Sequence, residues 1–404
     1  MSTRRISLPA YGVFAALLAA AGLPIYIHAP KAYVDEYGVS LAALGAVLFG
    51  LRLFDVVQDP LLGRLAGILR HQRALAVTGG VALMVLAMLG LFAVVPPISP
   101  LVWFAIMLAG VFSAFSFLTI CFYAQGVQTA DEMEGAGHLR LARWRETGAL
   151  LGVCVAAVMP VALGGFAGFA LGFAILGVTA LWMMRREWGS QGDIPEAGFA
   201  PVLQDKVARR LLLIALFNAA PVAVSSTLFL FFVESRLAAP GWEGPFLLLF
   251  FLSAAVAAPF WGRAAEMYGP KRVLLAAMVL AITAFGFAIL LGAGDVWAFA
   301  AICIASGAAL GADLTILPAI FASRMAKIAP GASGAFGLWS FVSKLSLAFA
   351  AIALLPALEM AGFRAGAENS ESALWALSLA YGLVPCILKL FAIGLLATTH
   401  WKED

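Results

Sequence analysis

Apolar residues run along this chain in stretches of about 20, the length that carries a helix across the hydrocarbon core of a bilayer. Short basic or glycine-containing segments separate them. Twelve stretches can be laid out, at 9–34, 39–63, 74–95, 101–125, 142–163, 166–184, 209–233, 245–263, 272–293, 296–322, 336–358 and 373–398. The pattern predicts twelve membrane-spanning helices. The first stretch follows Arg4 and Arg5 and contains Ala19-Ala20-Ala21, as a cleaved leader would. Apolar sequence continues to Ile27, however, and the later spans anchor the chain, so it counts as a span.

Composition agrees with an all-α membrane protein. Of 404 residues, 63% are hydrophobic and 12% charged, too little polar material to coat a water-soluble particle of that size. A net charge of +3 gives no electrostatic footprint for nucleic acid. Cys121, Cys154, Cys303 and Cys386 each stand alone in an apolar run, with no CxxC, and read as small buried hydrophobes rather than a disulfide or metal site. There is no Walker loop, no GxSxG and no HExxH, so the chain is not expected to be an enzyme.

Lysine and arginine set the expected orientation. With both termini cytoplasmic, the inner loops hold Arg64, Arg70, Arg73, Arg140, Arg185, Arg186, Arg263, Lys271, Arg272, Arg324 and Lys327, while the outer loops keep Lys31, Arg236 and Arg364. This is the positive-inside pattern of a multi-pass protein of the cell inner membrane. The longest polar interruption contains Gly189, Gly192, Pro195, Gly198 and Pro201. It predicts a flexible linker, 185–208, between six-helix bundles at 1–184 and 209–404. A repeat supports that division. Pro60-Leu61-Leu62-Gly63-Arg64 matches Pro259-Phe260-Trp261-Gly262-Arg263 at an offset of 199, and Arg73 matches Arg272 at the same offset. These arginines, Arg64, Arg73, Arg263 and Arg272, are read as gate and loop contacts. Asp59 is not repeated; its counterpart is Ala258.

Candidate chemistry sits in the second span, where Asp55 and Asp59 lie four residues apart and Arg52 shares their face. A carboxylate at membrane depth is costly unless it meets a polar interior, a partner or an ion. Two carboxylates on one face offer charge and oxygen ligands to a sodium ion. They could equally share a proton, since both cannot cheaply stay charged in a low dielectric. A third reading is an ion pair with Arg52. Lys344 lies at comparable depth, whereas Lys389, nearer its helix end, is expected to snorkel. His28 is read as an interfacial residue before a binding one.

Twelve spans in two equivalent halves resemble the major facilitator superfamily. Within it the chain resembles the glycoside-pentoside-hexuronide:cation symporters, through Tyr11-Gly12, Arg52-Leu53-Phe54-Asp55 with Asp59-Pro60, Phe122-Tyr123-Ala124-Gln125-Gly126, Arg145-Glu146, Asn218, Gly311-Ala312-Asp313-Leu314 with Pro318, and Phe336-Gly337-Leu338-Trp339 with Lys344. The resemblance implies a cation site at Asp55 and Asp59, with Gln58 and Ser116 as further oxygens, and a coupling switch at Lys344 with Arg52. It implies substrate contacts at Arg145, Tyr123, Thr119, Asp313, Trp339 and Asn218.

The function expected is symport of a small solute, such as a sugar or glycoside, with sodium or a proton by alternating access. No cofactor is expected beyond the coupling ion, and a monomer in the lipid bilayer is expected. The chain departs from the sugar transporters at two acidic positions, now Leu18 or Ala19 and Thr119 or Ile120. That departure keeps open an anionic or amphiphilic, lysolipid-like substrate, and a proton-coupled exporter is a further alternative.

Overall fold

The computed structural model describes residues 6–22, 29–133, 136–188, 199–329, 333–364 and 369–399. Among them no strand occurs. The helices are α1 (Leu8–Ala20), α2 (Ala29–Tyr37), α3 (Leu41–Ile68), α4 (Arg73–Phe92), α5 (Pro100–Asp131), α6 (Gly137–Ala162) and α7 (Phe166–Met184). They continue with α8 (Ala200–Gln204), α9 (Lys206–Phe231), α10 (Glu243–Tyr268), α11 (Pro270–Ala288), α12 (Val296–Ile328), α13 (Ser333–Met360) and α14 (Glu371–Ala397). A tighter turn, Leu69–Gln72, joins α3 to α4, and a π-turn, Phe232–Arg236, extends α9.

Every apolar stretch of the sequence coincides with helix. The first, 9–34, falls on α1 and α2, with 23–28 outside the described residues. Eight helical stretches among the described residues are long and apolar enough to cross a membrane. The first half of α6 carries Arg140, Arg143, Arg145 and Glu146. Ser40, Asp205 and Ser370 cap α3, α9 and α14 by accepting from the backbone N–H three residues on, which satisfies a donor that the helix cannot. Ten residues of the expected linker, 189–198, lie outside the described residues.

Packing groups the chain into two compact units, residues 1–202 with 325–341 and residues 203–324 with 342–404. In the first, α6 lies close along α1 because it carries glycine where the two meet. A Cβ at Gly148 would stand 2.1 Å from the Gly12 carbonyl oxygen, and one at Gly152 would stand 2.4 Å from that of Ala16. Without a hydrophobic force between helices in lipid, such close approach is what holds them together. Tyr11 and Phe14 of α1 complete this core by packing on Phe122 of α5.

In the second unit, α9 and α14 pack through Phe232 and Tyr381, stacked at 4.2 Å, with Phe299 of α12 against both. Gly311 brings α12 onto α10, since a Cβ there would lie 2.7 Å from the Ala254 carbonyl oxygen. Large apolar side chains stay exposed on the outer faces, among them Leu53, Phe54, Val57 and Leu61 of α3 and Leu390 and Phe391 of α14. Such faces are stable against hydrocarbon and would be unfavourable in water.

Candidate functional site

The exposed row Leu53, Phe54, Val57 and Leu61 takes one side of α3 and turns Asp55, Gln58 and Asp59 to the other, where all three are buried. Asp55 Oδ1 accepts from Gln58 Nε2 at 2.8 Å and from Ser116 Oγ of α5 at 3.0 Å. Gln58 Oε1 in turn accepts from Ser113 Oγ at 2.9 Å. Asp59, with no exposed surface, accepts at Oδ2 from Ser340 Oγ at 2.6 Å. Ser340 belongs to the first turns of α13, which pack in the same unit. Gly337 makes that possible: a Cβ there would already be 3.2 Å from the Asp59 carbonyl oxygen.

The cluster is therefore built from oxygen and amide groups: two carboxylates, one carboxamide and three hydroxyls. Hard cations prefer such donors, whereas zinc prefers nitrogen and sulfur. Among the described residues no three His, Cys, Asp or Glu side chains converge as metal ligands. A cation here would thus rest on two carboxylates and neutral oxygens. Ser113 and Ser340 were not anticipated from sequence. Serine in an apolar helix is common, and only a carboxylate opposite makes it informative.

A second cluster lies on α5 and α6. Arg145 Nε donates to Glu146 Oε1 at 2.6 Å, and Tyr123 Oη donates to the same oxygen at 3.2 Å. The guanidinium carbon lies 3.8 Å from the centre of the Tyr123 ring, which itself packs 5.0 Å from Phe336. Stacking and pairing together fix the guanidinium plane. Arg145 Nη2 is buried without a hydrogen-bond partner, as is Oγ1 of Thr119, one helical turn before Tyr123 on α5, so the cluster has polar capacity to spare at the arginine. Glu146, which the sequence reading used only as a landmark, neutralises the arginine and is a member of the site.

The second unit holds a third cluster. Lys389 of α14 donates to Asn218 Oδ1 of α9 at 2.6 Å and to Asp313 Oδ2 of α12. Lys389 therefore does not snorkel as expected. It is 3% exposed and anchored by an ion pair, because Asp313 sits within reach at similar depth and offers a better partner than a distant headgroup. Asp313 is paired inside its own unit.

The other sequence candidates are placed as follows. Trp339 and Lys344 are half-buried on α13. Arg73 is buried and donates to Gln125 Oε1 at 3.3 Å, while its repeat partner Arg272 is exposed. Arg64 lies over the Phe199 ring at 5.3 Å, and Arg263 is exposed. The side chains of Arg52 and Lys31, and all of His28, lie outside the described residues.

Comparison with known proteins adds a family. A family model described as "MFS/sugar transport protein" matches residues 8–402. Among curated proteins no sequence matches significantly. Among solved structures the chain is similar to a bacterial homologue of the iron transporter ferroportin in its outward-facing state, with a TM-score of 0.68 and 16% identity over 96% of this chain and 99% of that one. It is also similar to the human organic anion transporter MFSD10 (TETRAN), with a TM-score of 0.68 and 14% identity over 98% and 100%. At such identities the likeness concerns the fold.

Proposed function

Since the chain belongs to the MFS/sugar transport protein family, and so to the major facilitator superfamily, we propose that it is a secondary active transporter that couples a small solute to a cation by alternating access. The observation that carries this reading is the Asp55–Asp59 cluster, two carboxylates and neutral oxygens buried on the inward face of a helix whose opposite face is apolar. Burial of that kind is costly and serves no packing need, because the repeat position of Asp59 is filled by Ala258, equally buried. The coupling ion is sodium or a proton, with Lys344 as the positive charge that answers to the ion's presence. The solute is a sugar or glycoside, contacted by the Arg145–Tyr123 cluster.

The chain is read as two six-helix bundles, 1–184 and 209–404, joined by the segment 185–208. Both termini are assigned to the cytoplasm from the distribution of lysine and arginine, and the protein is read as a monomer of the inner membrane. The unpartnered Nη2 of Arg145 favours a second reading, in which the solute carries an anionic group. Counterflow of a labelled panel of neutral glycosides, sugar acids and lysophospholipids in proteoliposomes, with and without sodium, tests both. Sodium-stimulated exchange of a neutral glycoside supports the first; exchange confined to acids or lysophospholipids supports the second. No exchange of any panel member under either condition overturns the transport reading for these classes.

A further inference from the structure

Asp313 lies at the middle of α12, about 22 Å along the helix from its nearer end. Lys389, Asn218 and Asp313 are contributed by three different helices, and each is at least nine-tenths buried. The ammonium and carboxylate cancel in charge, which keeps the cluster tolerable in a low dielectric. Satisfaction is incomplete, however. Oδ2 accepts from Lys389, but Oδ1 is buried and has no hydrogen-bond partner. An unsatisfied carboxylate oxygen normally costs more than an apolar substitute would, so its retention calls for a use.

Asp313 and Lys389 line a small cavity of about 20 Å³, room for about one water. Ser225 of α9, Phe250 of α10, Phe285 of α11 and Ser306 of α12 also line it. The two serine hydroxyls donate to their own helix carbonyls, Val222 and Ile302, and so turn acceptor lone pairs to their surroundings. Cys386 donates to the Ile282 carbonyl. Among the described residues of the lining, Lys389 is the only charged group facing Asp313 and Cys386 the only other titratable one. A water in this cavity would find acceptors on several sides and would stand beside the Asp313 side chain.

We propose that Asp313 is a proton-binding site of the second unit, which takes a proton at Oδ1 from the cavity and thereby releases Lys389. The proton passes from a hydronium ion or water in the cavity to Oδ1. The carboxylic acid formed is neutral, and the ion pair between α12 and α14 is lost. Lys389 keeps its own proton and its hydrogen bond to Asn218 Oδ1, which holds the remaining charge. The site is separate in sequence and chemistry from the Asp55–Asp59 cluster, and it does not depend on the transport reading.

The test is infrared difference spectroscopy of the protein reconstituted in lipid, acidified from about pH 8 to about pH 5, a range over which uptake of a proton by a buried carboxylate can be followed. Wild type should gain the carbonyl band of a protonated, buried carboxylic acid. The double variant Asp313→Asn/Lys389→Met removes both charges together, so it leaves neither stranded and should fold, but it should lack the component of that band that Asp313 contributes. Asp55→Asn and Asp59→Asn should each retain it. Lys389→Met alone should move its midpoint upward by about 1–3 pH units, because loss of the neighbouring cation favours the neutral acid. A band of undiminished intensity and unchanged midpoint in the double variant overturns the proposal, as does absence of the band from wild type. An unmoved midpoint in Lys389→Met overturns the part assigned to the lysine.

Discussion

Ser340 Oγ donates to Asp59 Oδ2 at 2.6 Å, which ties the first turns of α13 to the one carboxylate in α3 that has no exposed surface. A hydroxyl can donate to the carboxylate or turn its lone pairs toward a cation, so Ser340 can change role without moving far. Ser340→Ala removes both options, and hydrogen bonds to charged groups contribute about 1.5–3 kcal/mol. The sodium concentration that half-saturates counterflow should therefore rise about tenfold or more, while Ser340→Thr stays near wild type. An unchanged sodium dependence in Ser340→Ala would place the ion elsewhere.

Asp55→Asn and Asp59→Asn keep the shape of the side chain and remove the charge that offsets ion desolvation. Each should abolish cation-driven accumulation and leave a folded protein. Asp59→Ala should fold as well, because Ala258 occupies the repeat position with equal burial. Uphill accumulation by both asparagine variants would sink the ion-site assignment.

The helices were legible from hydropathy alone, since a span must be apolar for about 20 residues and nothing else in the chain imitates that. Asp55 and Asp59 were legible for the converse reason, as charge where charge is costly. What the sequence hid was pairing. Glu146 follows Arg145 directly, a spacing that normally points two helical side chains apart, yet Arg145 folds back to meet it. Lys389 sits eight residues from the end of α14, near enough to suggest snorkelling, and only the proximity of Asp313, 76 residues earlier, decides otherwise. Ser113 and Ser340 gain meaning from neighbours 55 and 281 residues distant. Contacts at such separations leave no local trace in a single sequence.

The Arg145 cluster gives a graded series. Glu146→Gln leaves the guanidinium buried without its counter-charge, and breaking a buried pair costs about 3–5 kcal/mol, so a clear fall in melting temperature in detergent should follow. Arg145→Lys keeps the charge but loses the stacked plane over Tyr123, and should weaken solute binding less than Arg145→Ala does. Equal, small effects of the two arginine variants on counterflow affinity would make the arginine structural.

Asp205 provides a pH-dependent element outside the spans. The hydrogen bond from Arg324, together with the backbone N–H of Ala208 that it caps, holds its carboxyl below the usual carboxylate range. A carboxyl depressed on folding stabilises above its unfolded value, about 4, and that contribution fades as pH falls through the folded value. Asp205→Asn keeps the helix cap but removes the charge that Arg324 pairs with, and should lower stability at neutral pH by up to about 1 kcal/mol, as loss of a partly exposed ion pair does. The gap between variant and wild type should close on acidification below about pH 4. Thermal melts at neutral and acid pH that show a constant gap would rule this linkage out.

Lys344 tests whether one charge answers to the ion. It is half-buried on α13, and in the proposed cycle it supplies the positive charge that balances Asp55 and Asp59 when no cation is bound. Lys344→Ala then leaves two carboxylates unopposed in a low dielectric, and one of them should take up a proton in place of the lysine. Such a protein should lose sodium-stimulated accumulation and keep downhill exchange, because ion occupancy no longer biases the conformational equilibrium while the solute contacts are intact. Lys344→Arg keeps the charge with altered geometry and should retain part of the coupling. Proteoliposomes with an imposed sodium gradient separate these outcomes. Accumulation by Lys344→Ala equal to wild type would show that the lysine serves only its own helix, and would leave the paired aspartates to be balanced by another cation.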